Sequence, residues 1–478
     1  MRWMICSALF LASVAPGRAA DPPRRMNVLL IVSDDLTNNA LGCYGGPKKT
    51  PNIDALAKRG VRFDRAYCQF PLCNPSRASF LTGLRPDTLR VYENATQFRK
   101  NVPDAQSLPQ TFRKAGYSVA RVGKLFHYGV PAQIGTEGLD DPPSWERTIN
   151  PRGRDKDDEE AIFTLNPGAK GPSRFGGTLS WLAADGTDEE QTDGKIAAEV
   201  AKLLREYADR TFFLACGFFR PHTPYVAPKT YFDLHPADEI DPPKVPADHR
   251  DSAPAPAFGR HKKEQEQLTD DLRRQAIQAY RASASFMDAQ VGIVLRTLEE
   301  LNLADKTVVV FLSDHGYHLG EHGLWQKMSL FENSARVPLV IHDPRAKGNG
   351  QACLRTVELV DLHATLADLC GLDAPRTDGT SLKPLLEDPD RVWDRPAFTQ
   401  ASRGTPTVTG EKTAKDTPWF MGRSIRTARY RYTEWDDGKK GSQLYDYMAD
   451  PGELKNLATD PASRAIVAEL KGRLKATK

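Results

Sequence analysis

Two apolar runs, far apart in the chain, stop in the same way. NVLLIVSDD (27–35) and TVVVFLSDHG (307–316) are continuous hydrophobic stretches that end at aspartates, the pattern of strands buried on both faces of a parallel sheet. YSVARVG (117–123), TFFLACGFF (211–219) and VPLVIHD (337–343) read as further strands. Between them the period changes. Ala276, Tyr280, Met287, Val291, Val294 and Leu298 recur at helical spacing within residues 270–300, which predicts an amphipathic helix lying on the sheet. Shorter helices are predicted at 52–59 and 358–370. The alternation predicts an α/β fold with a large, mainly parallel sheet sandwiched by helices.

Beyond about residue 390 the pattern differs. SIRTARYRYTEW (424–435) alternates as one strand, QLYDY (443–447) as another, and 461–476 as a charged terminal helix. We expect a catalytic domain over 22–390 and a smaller C-terminal α+β subdomain over 391–478 containing an antiparallel sheet. Residues 130–185 and 236–266 are rich in Gly, Pro and charge without a period. On an α/β scaffold such long insertions shape a site.

Composition narrows the class. The chain has 478 residues, 40% hydrophobic and 27% charged, and past its start no apolar run approaches the roughly 20 residues of a membrane helix. Residues 1–20 carry an early cation, an apolar stretch and small residues near Ala19 and Ala20, the pattern of a cleaved signal peptide. A buried N-terminal helix, or a start at Met26, is the alternative. Export, periplasmic or secreted, is expected. Net charge is +3, falling to +1 without Arg2 and Arg18, so nothing recruits nucleic acid or a membrane in bulk. Seven cysteines without C-x-x-C spacing exclude a disulfide scaffold and structural zinc.

Candidate chemistry gathers at the strand ends, where open α/β sheets bind ligands. Asp34, Asp35 and Asp314 would repel one another without a cation, and a divalent metal with His315 nearby resolves this; a pair of aspartates can also simply cap a loop. In CNPSRASFLTG (73–83), Pro75 and Ser76 can start a helix and Gly83 can end it. Cys73 then sits at the anion-favouring N-terminus. Location alone fits a buried structural cysteine equally well.

The spacing C-x-P-S-R-x-x-x-L-T-G resembles the type I, formylglycine-dependent sulfatases of the alkaline phosphatase superfamily. TPNIDALAKRGVRF and QLYDYMADPGELKNLA extend the likeness from Asn27 to about Pro461. The resemblance implies a formylglycine made from Cys73 by a formylglycine-generating enzyme. It also implies a calcium ion, with Mg2+ or Mn2+ as alternatives, held by Asp34, Asp35, Cys73, Asp314 and His315. Arg77 would orient the formylglycine, while Lys124, His127, His222 and Lys327 would surround the sulfate. Taken singly, a lysine after a strand is usually solvated and a histidine in a proline-rich loop usually bonds its own backbone. Histidine at 315 and two residues, Leu125 and Phe126, between Lys124 and His127 are similar to the iduronate-2-sulfatase branch.

The expectation is an exported sulfatase acting on a sulfated sugar or polysaccharide. His222 is expected to be the general acid and His127 the partner of the second hydroxyl. A phosphonate or phosphate ester hydrolase of the same superfamily, or a non-catalytic sulfated-glycan binding protein, is the alternative. Trp325 is a candidate platform for a sugar ring and the 130–185 insertion a candidate wall. Asn94 carries an N-x-S/T sequon without proline, the only one in the chain, and the lysosome is the less favoured destination.

Overall fold

The computed structural model describes residues 25–171, 174–404 and 418–476, so the expected signal peptide lies outside the described residues. Eight strands form one sheet, ordered Ala352–Glu358, Val61–Tyr67, Arg336–His342, Thr307–Ser313, Asn27–Ser33, Phe212–Gly217, Ser118–Gly123 and Arg147–Ile149. All are parallel except Arg336–His342, which runs against both neighbours.

The central strand shows why the apolar runs are unbroken. Leu29 and Ile31 face one core with Ile277, Tyr280, Val291 and Val294 of the long helix Asp270–Glu300. Val28, Leu30 and Val32 face the other, with Phe80, Leu81, Phe112 and Leu366. Both faces of the sheet are therefore covered, and alternation, the usual strand signal, is erased.

Two sequence readings change here. Residues 424–435 are not one strand: Phe420–Arg426 and Tyr430–Trp435 pair antiparallel. The chain reverses where Thr427 N bonds Tyr430 O at 2.8 Å and Tyr430 N bonds Thr427 Oγ1 at 3.0 Å. A threonine turn breaks an otherwise regular alternation. With Ala397–Arg403 and Ser442–Asp446 these two strands make the expected antiparallel C-terminal sheet, backed by the helix Arg464–Lys475. The strand Val61–Tyr67 was not foreseen, because Arg62, Asp64 and Arg65 leave it only half apolar.

The helix Pro51–Arg59 has no side-chain cap of its own at Thr50. Asp288, from the long helix, supplies it by accepting from Asn52 N at 3.1 Å and Ile53 N at 2.8 Å. Burial dominates over these bonds and raises the Asp288 carboxyl from 3.8 to about 6. The native state then holds this proton more tightly than the unfolded chain, so its contribution is full below the unfolded pKa and lost as pH rises through about 6. Replacing Asp288→Asn should remove that loss. Urea unfolding at pH 4 and pH 6.5 should show the variant improving relative to wild type by about 2 to 3 kcal/mol at the higher pH.

Candidate active site

Strands Asn27–Ser33 and Thr307–Ser313 pair with Ser33 opposite Ser313, so Asp34 and Asp314 leave the sheet side by side. Asp35 turns away at φ 63°, a left-handed conformation that a short polar side chain tolerates. Tyr280 fixes that turn: its hydroxyl donates to Asp35 O at 2.6 Å and accepts from Thr37 N at 2.8 Å. Its place among the apolar positions of the long helix concealed this role.

Cys73 begins the buried helix Cys73–Thr82. Gly83 closes it at φ 72°, where a Cβ would also come within 2.6 Å of Thr377; both facts demand glycine. Ser76 donates to the carbonyl of Asp314. Arg77, one turn beyond Cys73, is fully buried. Its Nε donates to Asp314 Oδ2 at 2.8 Å and Nη2 to Asp34 Oδ1 at 2.9 Å. Nη1 reaches the carbonyls of Lys124 and Leu125 at 2.8 and 3.0 Å. Its hydrogen bonds thus go to the acids and the backbone of the pocket.

The remaining groups converge on Cys73. Lys327 Nζ donates to Asp35 Oδ1 at 2.6 Å and lies 3.0 Å from Cys73 Sγ. His315 Nε2 stands 3.5 Å from the same sulfur. Lys124 Nζ donates to Asp34 Oδ2 at 2.6 Å. His222 Nε2 faces Asp35 Oδ2 at 3.7 Å, with Nδ1 against Thr223 O at 2.5 Å. His127 is in the same electrostatic field as Lys124, Asp34 and Lys327.

Charge in this pocket is set by competition with burial. Burial would raise Cys73, but Lys124 and Lys327 prevail and lower it to about 6. Burial opposes charge on His315, yet Asp314 and Asp35 raise it to about 10. Asp34 and Asp35 are held well below the usual carboxylate range despite burial, Asp34 mainly by Lys124 and Arg77, Asp35 by His222 and Lys327. His127 is held neutral by burial and Lys124.

Repulsion among the three acids does not by itself call for a metal, since Arg77, Lys124 and Lys327 already neutralise them. The donor set fits an ion on other grounds. Asp35 Oδ2 is buried without a hydrogen-bond partner. Ligand atoms of Asp35, Cys73, Asp314 and His315 lie within 4.8 Å of one another, as do those of Asp34, Asp35, Cys73 and His222. His315 Nδ1 lies 2.9 Å from Gly316 O, an orientation that turns Nε2 inward as a ligand. Oxygen-rich donors suit a hard divalent cation.

Reading the sequence alone missed the groups that aim His222. Asp193 accepts from Phe219 N and Arg220 N, both at 3.0 Å, and Arg220 pairs with buried Asp155 and bonds Pro224 O at 2.8 Å. No local pattern marks Asp155 or Asp193, which act across the fold. Trp325 is buried, with an edge on a cavity of about 800 Å³. The 130–185 insertion does reach the site, since Gly177 O accepts from Lys262, which also bonds Gln326 beside Lys327. The six described cysteines are all free.

A buried cysteine at a helix start, with converging acids and lysines at the ends of a mainly parallel sheet, is the arrangement of a hydrolase of the alkaline phosphatase superfamily. The sulfatase family model matches residues 26–372, and a model of the N-sulphoglucosamine sulphohydrolase C-terminal region matches 320–478. The chain belongs to the sulfatase family and is a sulfuric ester hydrolase. It is 33% identical to iduronate 2-sulfatase of Mus musculus, over 94% of this chain and 92% of the relative. Its fold matches a 2-O GAG sulfatase at TM-score 0.72, with 23% identity, over 95% of this chain and 92% of that one. It also matches the phosphonate monoester hydrolase of Agrobacterium radiobacter at TM-score 0.77, with 25% identity and 95% of both chains covered.

Removing Arg77 should be severe. Arg77→Leu leaves buried Asp314 without its arginine and Asp34 with Lys124 alone, and denaturant unfolding should show a loss of about 3 to 5 kcal/mol. Arg77→Lys keeps the charge but cannot bridge both acids; calorimetry should show weakened divalent-cation binding.

Proposed function

We propose that the protein is an exported sulfatase that hydrolyses the sulfate ester of a sulfated sugar, through a formylglycine made from Cys73 and a bound calcium ion. The observation that carries this reading is the setting of Cys73: Lys327 lies 3.0 Å and His315 3.5 Å from its sulfur, at the start of a buried helix. The similarity to iduronate 2-sulfatase supports a sugar substrate.

Asp34, Asp35, Asp314 and His315, with residue 73, would hold the ion, which when bound lowers the pKa of the attacking hydroxyl and offsets sulfate charge. A hydrated formylglycine supplies two hydroxyls, one to attack sulfur and one to release sulfate by C–O cleavage. The side chains around it divide the remaining work. Lys124 and Lys327 each spend one N–H on a carboxylate, at 2.6 Å in both cases, and keep others for sulfuryl oxygens, where negative charge develops. Thr223 O holds the Nδ1 side of His222. His222 therefore delivers a proton to the departing alcohol from Nε2, the nitrogen that faces Asp35 Oδ2 at 3.7 Å. His127 is neutral and its buried Nδ1 has no partner, so it can accept the proton of the second hydroxyl.

A phosphonate ester hydrolase is the second reading, favoured by the TM-score of 0.77 to such an enzyme. Matched aryl sulfate and phenylphosphonate esters decide between them. Preferred sulfate cleavage is expected, and a strong preference for the phosphonate would overturn the first reading.

Cys73→Ala, matured beside wild type, should lose at least about 10³-fold in kcat/KM; unchanged turnover would refute the nucleophile. Chelation should lower activity and the thermal midpoint together, with calcium restoring both. Full activity after exhaustive chelation would remove the ion from the mechanism.

A further inference from the structure

Every buried cation at the reaction centre has a carboxylate partner, but a neighbouring group of cations has none. Among the described residues no carboxylate pairs with Arg260, Lys262 or Arg403, and the bonds of Lys262 and Arg403 go to uncharged oxygens. Lys262 spends two N–H bonds on the carbonyl oxygens of Gly177 and Gln326, leaving a third free. Gln326 precedes Lys327, so this ammonium stands at the edge of the catalytic pocket. Arg403 packs against Gly259, where a Cβ would come within 2.8 Å of its Nε, one residue from Arg260. Its Nε and Nη1 bond Pro256 O and Ser402 O at 2.8 and 3.0 Å, while its buried Nη2 has no partner. His261, between Arg260 and Lys262, lines the cavity of about 800 Å³ together with Arg250 and Trp325.

Positive groups withdrawn from water without counter-charges are costly. Burial, joined by Lys327 and Arg260 and only partly opposed by Glu264, lowers Lys262 to about 8. Burial and then Arg260 lower Arg403 to about 9. An anionic ligand would relieve that cost.

We infer that Arg260 and Lys262, backed by Arg403, form a second anion subsite that recognises a carboxylate or a further sulfate on the sugar whose sulfate ester is cleaved. This rests on the sulfatase reading. It narrows the substrate class to sugars with two separated anionic groups.

Two matched pairs of substrates test it, each pair differing by one charge. The first is a 2-sulfated uronoside and its methyl ester; the second is glucosamine N,6-disulfate and N-acetylglucosamine 6-sulfate. Wild type should favour the doubly charged member of at least one pair by about tenfold or more in kcat/KM, mainly through KM. Arg260→Gln and Lys262→Gln should each cut that preference severalfold, and Lys262→Arg should retain most of it. Arg260 is exposed and has no described bond to lose, so its variant remains informative if Lys262→Gln misfolds. Equal cleavage of charged and neutral members by wild type would overturn the subsite, as would a preference that survives in the variants. Failure to cleave any of the four sulfates, or an aryl sulfate, would overturn the sulfatase reading and the subsite with it.

Discussion

The site depends on one buried guanidinium. Arg77 is fully buried and ties together Asp34, Asp314 and the carbonyls of Lys124 and Leu125. These groups follow three different strands, so their relative positions would otherwise rest on separate loops. Residues four apart on a helix share a face, so the clamp that joins the strand ends also fixes the helix start where Cys73 lies. A planar group with five donors suits this task better than a point charge. Its burial is tolerable because both acids it touches are buried with it and every donor nitrogen is engaged.

The pairing inside the pocket sets its electrostatics. Arg77, Lys124 and Lys327 answer three carboxylates, leaving a framework near neutrality before any ion enters. A divalent cation among these donors would make the pocket net positive, and a sulfate ester, itself an anion, would enter a field built for it. The expectation that repulsion among the acids demands a metal was too simple. The orphaned Asp35 Oδ2, and the grouping of ligand atoms from Asp35, Cys73, Asp314 and His315 within 4.8 Å of one another, are the firmer reasons, because they describe donor atoms gathered closely enough to share one ion.

The strand tips were legible because their chemistry is local. Apolar runs ending in acids mark buried parallel strands, and the Cys73 to Gly83 motif carries its helix start, clamp and stop within one short stretch. Two kinds of feature escaped. Val61–Tyr67 escaped because its charged side chains mask a strand that is buried only in part. Tyr280, Asp193 and Lys262 escaped because each acts on a partner distant in sequence: Tyr280 on Asp35, Asp193 on Phe219 and Arg220, Lys262 on Gly177 and Gln326. A tyrosine at a helical core position reads as packing until its hydroxyl is seen on the Asp35 turn. The hairpin at 427–430 was hidden for the opposite reason, since alternation continues through the turn while the chain reverses.

Paired and unpaired cations divide the labour around this site. Arg77 has its bonds satisfied within the protein, and so it fixes geometry without depending on what binds. Lys124 and Lys327 are anchored by one carboxylate each and, in the proposed mechanism, would keep donors for the reacting group. Arg260, Lys262 and Arg403 have no carboxylate among the described residues, and Lys262 is oriented only by carbonyl dipoles. The gradient from fully paired to unpaired runs outward from Cys73 toward the cavity beside Trp325. Under the proposed function, a substrate read along that gradient would meet rigid charges where bonds break and uncommitted charges where the sugar is identified. Such an arrangement allows specificity to vary through the insertions while the chemistry at the strand ends stays fixed.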